Sequence, residues 1–153
     1  MVKSNKMKSY IKWIIYSLLI VLVGIQFIPA STNQQEITPY TDIRKVYAIP
    51  DNVLSILETS CYDCHSNHTN YPLYSKIQPM RMLMDKHVRE GKEELNFSEF
   101  GNYSDRKKRN KMFSIHNQIR DGEMPLSSYT LMHNDAKLTA NEKKLIEEWI
   151  TNL

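Results

Sequence analysis

Cys61 and Cys64 are the only cysteines in a chain of 153 residues, and His65 stands directly behind the second. Residues three apart share one face of a helical turn, so both thiols can reach points along one edge of a flat ligand. The next residue, an imidazole, can then approach the face of that ligand. Cys61-Tyr62-Asp63-Cys64-His65 therefore reads as a c-type haem attachment site. In that reading the two thiols become thioethers and His65 is the proximal ligand to iron. A structural disulfide, a redox dithiol, or a zinc site using Cys61, Cys64, His65 and His68 are the plainer alternatives. None of them explains why histidine follows the second cysteine directly.

Charge divides the chain before it can be interpreted. Lys3, Lys6, Lys8 and Lys12 precede any acid, and the rest carries 16 basic against 17 acidic residues. The basic excess belongs to the N-terminal tail, so it is no argument for a nucleic-acid partner. Residues 1–12 form a basic cytoplasmic tail, followed from Trp13 to Ala30 by 18 residues without a charge. Such a run makes about 27 Å of helix, near the hydrocarbon thickness of a bilayer. Lysines before it and polar residues after it orient a single-pass anchor in the cytoplasmic membrane, with residues beyond 30 on the periplasmic side. A cleaved signal peptide is the alternative; the length of the run and Pro29 beside the cleavage position favour an uncleaved anchor.

Residues 31–49 are polar, carry Pro39 and show no clean period, which suggests a tether. Residues 50–153 form the functional domain. Glycine is scarce and alternating β-branched runs are absent, so the domain is expected to be all-α. Asp51 opens a first helix as its cap, with Val53, Leu57 and Cys61 on one face. Residues 66–79 form a loop, and Met80, Leu83, Met84 and His87 begin a second helix that Gly91 stops. After a loop from Asn96 to Tyr103, Ser104 caps a third helix with Met112, Ile115 and Ile119 on its apolar face and Gly122 at its end. Thr139 and Glu142 spell a capping box for a last helix lined by Leu145, Ile146, Trp149 and Ile150.

A low-spin haem needs a second axial donor. Met124 is the preferred candidate, since it lies in a turn marked by Gly122 and Pro125 where a loop can present sulfur to iron. Met80, Met82, Met84, Met112 and Met132 read as core filler. His87, His116 and His133 are rivals on helical or turn patterns, where structural roles are commoner. Arg106, Lys107, Lys108, Arg109 and Lys111 form the one charge run beyond the tail. A solvated helix face is the favoured reading, with docking of an acidic redox partner as the functional one.

Several stretches resemble one family. Cys64-His65-Ser66-Asn67, Tyr71-Pro72-Leu73-Tyr74, His87 with Gly91, Leu95-Asn96-Phe97-Ser98, and Met124-Pro125 with Tyr129 and His133 are similar to exported haem-binding domain proteins of the monohaem cytochrome c superfamily. The similarity covers roughly residues 50–151. It implies a cytochrome c-like helical domain around one covalent haem c, preceded by one transmembrane helix, with first and last helices crossing near Trp149. It also implies His65 and Met124 as iron ligands. The segment from Leu73 to Tyr103 departs from it, being longer than the compact loops of small soluble cytochromes.

The expected activity is single-electron transfer outside the cytoplasmic membrane, between membrane-embedded or periplasmic redox partners, by a carrier with no catalytic residues of its own. The alternative is a haem-based gas or redox sensor, or a peroxidase-like module, in which the distal ligand is labile.

Overall fold

The computed structural model describes residues 2–153, with side chains from Met7 onward. Among these residues the secondary structure is helical and no strand forms; one isolated antiparallel bridge pairs Gln34 with His68. The helices are α1 (Val2–Ile25), α2 (Ile43–Val46), α3 (Asp51–Ser60), α4 (Tyr62–His65), α5 (Met80–Glu94), α6 (Asp105–Arg120), α7 (Ser127–Thr130) and α8 (Ala140–Thr151). Three 3₁₀ turns lie at Leu73–Lys76, Phe97–Asn102 and Asn134–Ala136.

The chain divides into two compact units. One holds the residues up to Thr32 together with Tyr71–Lys86; the other holds Asn33–Asn70 and His87–Leu153. In the first, Met7–Ile25 is a 19-residue apolar stretch of mean hydropathy 1.6 with none of it buried. It is long and apolar enough to cross a membrane, and it also meets the requirements of a signal sequence. The stretch begins and ends earlier than the expected run from residue 13 to 30. Turn bonds from Gln26, Phe27 and Ile28 close the helix just before Pro29, which has no N–H to continue it.

The second unit carries the core. Val53 and Leu57 of α3, Met112 and Ile119 of α6, and Ile146 and Trp149 of α8 come together there with Phe97 and Phe100. α8 packs against both α3 and α6. Its start is the expected capping box: Glu142 N–H donates to Thr139 Oγ1 at 3.3 Å, and Thr139 N–H donates to the Glu142 carboxylate at 2.8 Å. That bond and the one from the Thr139 hydroxyl hold the Glu142 carboxyl below its ordinary pKa. Trp149 is buried and its indole donates to the Ala48 carbonyl at 3.2 Å. Ser104 caps α6 as expected, and Gly122 ends that segment in the left-handed region at φ +74°.

Four local expectations are corrected. Pro50, not Asp51, takes the cap position of α3; Asp51 is the first helical residue and helps through its charge near the helix N-terminus. Gly91 does not stop α5, which runs on to Glu94. The stretch from Asn96 to Tyr103 is no surface loop: Phe97 and Phe100 are fully buried in it, and the Asn96 side chain accepts the Ser98 N–H at 3.0 Å. Of the methionines expected as filler, Met84 and Met112 are buried, but Met80, Met82 and Met132 are exposed.

The second half of the stretch read as a tether is packed. Ile43 has no exposure, Thr41 Oγ1 donates to the Ser98 carbonyl at 2.7 Å, and the Gly101 N–H donates to the Thr41 carbonyl at 2.6 Å. A Cβ on Gly101 would stand 3.0 Å from that same carbonyl, so glycine lets the two backbones meet. Asp42 is fully buried, caps α2 by accepting the Arg44 N–H at 3.0 Å, and pairs with the Arg44 guanidinium at 2.9 Å. Most of the basic run on α6 is engaged within the chain: Lys107 lies 3.9 Å over the Tyr103 ring, Lys108 pairs with Asp105 and Lys111 with Glu94.

Phe100 packs edge-on to Tyr47 and tilted on Tyr103, away from the candidate site. Phe100→Ala is therefore expected to cost about 3–5 kcal/mol in denaturant unfolding, as a buried aromatic does when it leaves a cavity. Phe113→Ala, at a position 66% exposed, should stay within about 0.5 kcal/mol.

Candidate haem-binding site

α3 ends at Ser60, and Cys61 leaves the helix with φ −128° and ψ −40° before the chain turns again as α4. The Cys64 and His65 N–H groups both return to the Cys61 carbonyl, at 3.2 and 3.0 Å. This tight turn sends the side chains of the motif in different directions. Cys61, Cys64 and His65 line one cavity of about 400 Å³. Tyr62 points instead into the core, stacked on Phe97 with ring centroids 5.1 Å apart, under the guanidinium of Arg44.

Asp63 serves a third purpose. It is buried, and its carboxylate accepts Asn70 N–H at 3.0 Å, Asn70 Nδ2 at 3.1 Å and the Tyr129 hydroxyl at 2.7 Å. Its carbonyl accepts Thr69 Oγ1 at 2.6 Å. Three donors on a buried carboxylate offset much of the cost of removing it from water. Tyr129 belongs to α7, directly after the Met124 turn, so this bond ties that turn to the cysteine motif.

His65 is fixed from behind. Its Nδ1 lies 2.9 Å from the Gly91 carbonyl and 3.1 Å from the Leu95 carbonyl. Carbonyls only accept, so the ring proton is on Nδ1 and Nε2 keeps its lone pair. Burial pushes the His65 pKa down, more than the two carbonyls and Glu94 push it up, which keeps the ring neutral and able to ligate. α5 comes this close because residue 91 is glycine: a Cβ there would stand 2.7 Å from the Cys64 carbonyl oxygen. The role of Gly91 is close approach, not helix termination.

The apolar part of the wall includes Gly91 of α5, Leu95 just past it, Ile115 and Ile119 of α6, Leu138, and the loop carrying Met124, Pro125 and Leu126. Met124 is the one methionine on the wall among the described residues, and it is half-buried. Of its histidine rivals, His87 also lines the cavity, while His116 and His133 do not. His133 stacks on Tyr129 at 4.1 Å, and His116 sits beside Asn117. The structure thus brings Cys61, Cys64, His65 and Met124 to one cavity.

These groups fit a haem. The cavity lies in the size range of cofactor sites, its walls are mostly apolar, and it offers two thiols, an imidazole nitrogen and a thioether sulfur. They do not favour the plainer alternatives. The two cysteines are unpaired, and no group of three or more His, Cys, Asp or Glu among the described residues could hold a metal ion. His68 stands apart, its Nδ1 3.1 Å from the Gln35 carbonyl. Desolvation pushes the Cys61 thiol up to about 12 and the Cys64 thiol up to about 11, opposite to the lowered values of reactive dithiols.

A helical fold that gathers these donors on an apolar cavity suits a haem-binding protein. The chain is a member of the haem-binding domain family, whose family model matches residues 20–152. No curated protein and no solved structure matches it. Sequence reasoning missed Asp63 with Tyr129, the carbonyls behind His65, and the reason for Gly91. Only the last left a trace, as a glycine inside an otherwise helical pattern.

Gly91→Ala should lower the haem content of purified protein, read as haem absorbance per polypeptide, because Cys64 must move. Gly122→Ala should leave that ratio unchanged while costing about 1–2 kcal/mol for its left-handed backbone, since nothing lies near its missing Cβ. In a double-mutant cycle of Asp63→Ala and Tyr129→Phe read by denaturant unfolding, the coupling should be about 1.5–3 kcal/mol, the range of a hydrogen bond to a charged group.

Proposed function

We propose that this protein is a membrane-tethered, cytochrome c-like carrier of single electrons, with one covalent haem c on the periplasmic side of the cytoplasmic membrane. The observation that carries the reading is the convergence of Cys61, Cys64, His65 and Met124 on one cavity, with the His65 Nδ1 proton already committed to backbone carbonyls. Bound haem supplies a one-electron iron couple at this site.

The residues around it have separable tasks. Cys61 and Cys64 hold the group through thioethers, so retention does not rest on the modest pocket. His65 would hold the iron through Nε2, and its two carbonyl partners fix the ring and raise its basicity. Met124, on the same cavity, would supply its thioether to the iron, which would favour a higher potential than a second imidazole. With His65 and Met124 both held by the chain, a one-electron change at the bound group would demand little rearrangement of these residues. Ile115, Ile119, Leu95 and Leu138 exclude water from the wall. The packing of α3 against α8 beside a buried Trp149 supports the cytochrome c-like architecture. α1 confines the carrier to the membrane surface, where membrane-embedded or periplasmic redox proteins meet it.

The test uses protein produced in a host that matures c-type cytochromes. After acid-acetone extraction the haem should remain on the wild-type polypeptide, and Cys61→Ala/Cys64→Ala should abolish this; extraction from wild type would sink covalent attachment. Met124→Ala should convert a low-spin spectrum to high-spin and lower the midpoint potential. A high-spin wild-type spectrum that the substitution leaves alone, and that carbon monoxide shifts, would overturn Met124 and point to a sensor or enzyme with an open distal site.

A further inference from the structure

The segment Tyr71–Lys86 shares its compact unit with α1, and the tie between them is specific. Gln26, the first residue past α1, donates from Nε2 to the Gln78 carbonyl at 3.3 Å and accepts the Gln78 N–H at 3.0 Å. Arg81 adds a bond from its guanidinium to the Ser31 carbonyl, lies 4.3 Å over the Tyr71 ring, and pairs with Asp85 at 2.9 Å. Three polar residues of the segment, Ser75, Gln78 and Arg81, are buried. Of its apolar residues Met84 is buried, while Leu73 is 80%, Ile77 60%, Met82 47% and Leu83 44% exposed. Phe27 and Ile28, just past α1, are exposed as well. A water-facing surface has the opposite arrangement.

We propose that Leu73, Ile77, Met82 and Leu83 insert into the bilayer interface where α1 ends, forming a second, in-plane membrane contact. The proposal rests on the reading of α1 as an uncleaved membrane helix. The occupant follows from continuity. Met7–Ile25 is about 28 Å of helix, close to the hydrocarbon thickness, so Gln26 stands where hydrocarbon gives way to headgroups. The Gln26–Gln78 pair holds the outward apolar residues at that end of the span, where the medium around the helix is lipid. The composition of the segment suits that depth. Tyr71 and Tyr74 are of the type enriched at membrane interfaces, and Lys76 and Lys86 have stems long enough to carry their charges to the headgroups. An amphipathic segment of this kind lies in the plane of the interface rather than crossing it.

The test places a nitroxide label, one site at a time, at Leu73→Cys, Ile77→Cys and Val21→Cys in the haem-loaded full chain. The protein is reconstituted in vesicles of phosphatidylethanolamine and phosphatidylglycerol, and the unsubstituted chain goes through the same labelling as background. Power saturation then compares collisions with oxygen, enriched in hydrocarbon, against a water-soluble nickel chelate. The label at 21 should be reached by oxygen alone, and labels at 73 and 77 should show an oxygen-to-nickel ratio several-fold above that of the same label in water. Nickel access at 73 and 77 with a lipid-buried 21 overturns the interfacial contact and leaves the anchor standing. Nickel access at all three overturns the anchor and the contact together. Shielding of 73 and 77 from both reagents means that protein, not lipid, covers the patch, which also overturns the proposal.

Discussion

The site depends on one shared hydrogen bond, from the imidazole Nδ1 of His65 to the carbonyls of Gly91 and Leu95. These two carbonyls lie in and just past the last turn of α5, and the Gly91 carbonyl also accepts the Leu95 N–H at 2.8 Å. The bond from the histidine thus ties the ring to a helix end and sets its tautomer. The contact is possible only if α5 lies nearly against the cysteine turn, and the missing side chain at residue 91 permits that distance. Placement of the ring and identity of the glycine are a single constraint expressed at two positions.

Two buried carboxylates support that constraint from either side. Asp42 holds Arg44, whose guanidinium covers the Tyr62 ring, and the Tyr62 hydroxyl points back to Asp42 at 3.4 Å. Asp63 gathers Asn70 and Tyr129. Each residue between the two cysteines is therefore engaged with a different part of the fold. A free CxxC turn could rotate, whereas this one is held by a ring stack on one flank and a three-donor carboxylate on the other. Its two thiols and its imidazole consequently share a wall before any ligand adds its own order.

What the sequence made legible was whatever is encoded locally. The capping box at Thr139 and Glu142, the Ser104 cap and the apolar faces of α6 and α8 are short-range patterns, and the structure has them where the pattern puts them. The cysteine motif is local in the same sense, and the structure puts its two thiols and its imidazole on one cavity. The rest depended on partners distant in the chain. Thr41 to Ile43 show no period because a strap held by a Thr41 hydroxyl bond to the Ser98 carbonyl and a backbone bond from Gly101 needs none. Asn96 to Tyr103 looked like a loop because Asn, Gly and Tyr are turn residues; in fact its two phenylalanines are core. Gly91 and Asp63 carry signals that have two readings, and only the residue across the gap decides between them.

The thiols separate the proposed use of the motif from its nearest rival. A dithiol that exchanges electrons works through a thiolate and so gains from a lowered pKa, supplied by a positive charge or a helix N-terminus. Here the surroundings do the reverse: apolar burial raises both groups, and the nearest charged influence on Cys64 is the carboxylate of Asp63, which raises it further. That carboxylate would impair a redox dithiol, yet it joins the turn to Tyr129 and so to the loop bearing Met124. An acid between the cysteines makes sense where the cysteines are points of attachment and the work is done by a group held between His65 and Met124. Every residue on the cavity wall belongs to the second unit, so the site is built within one compact body.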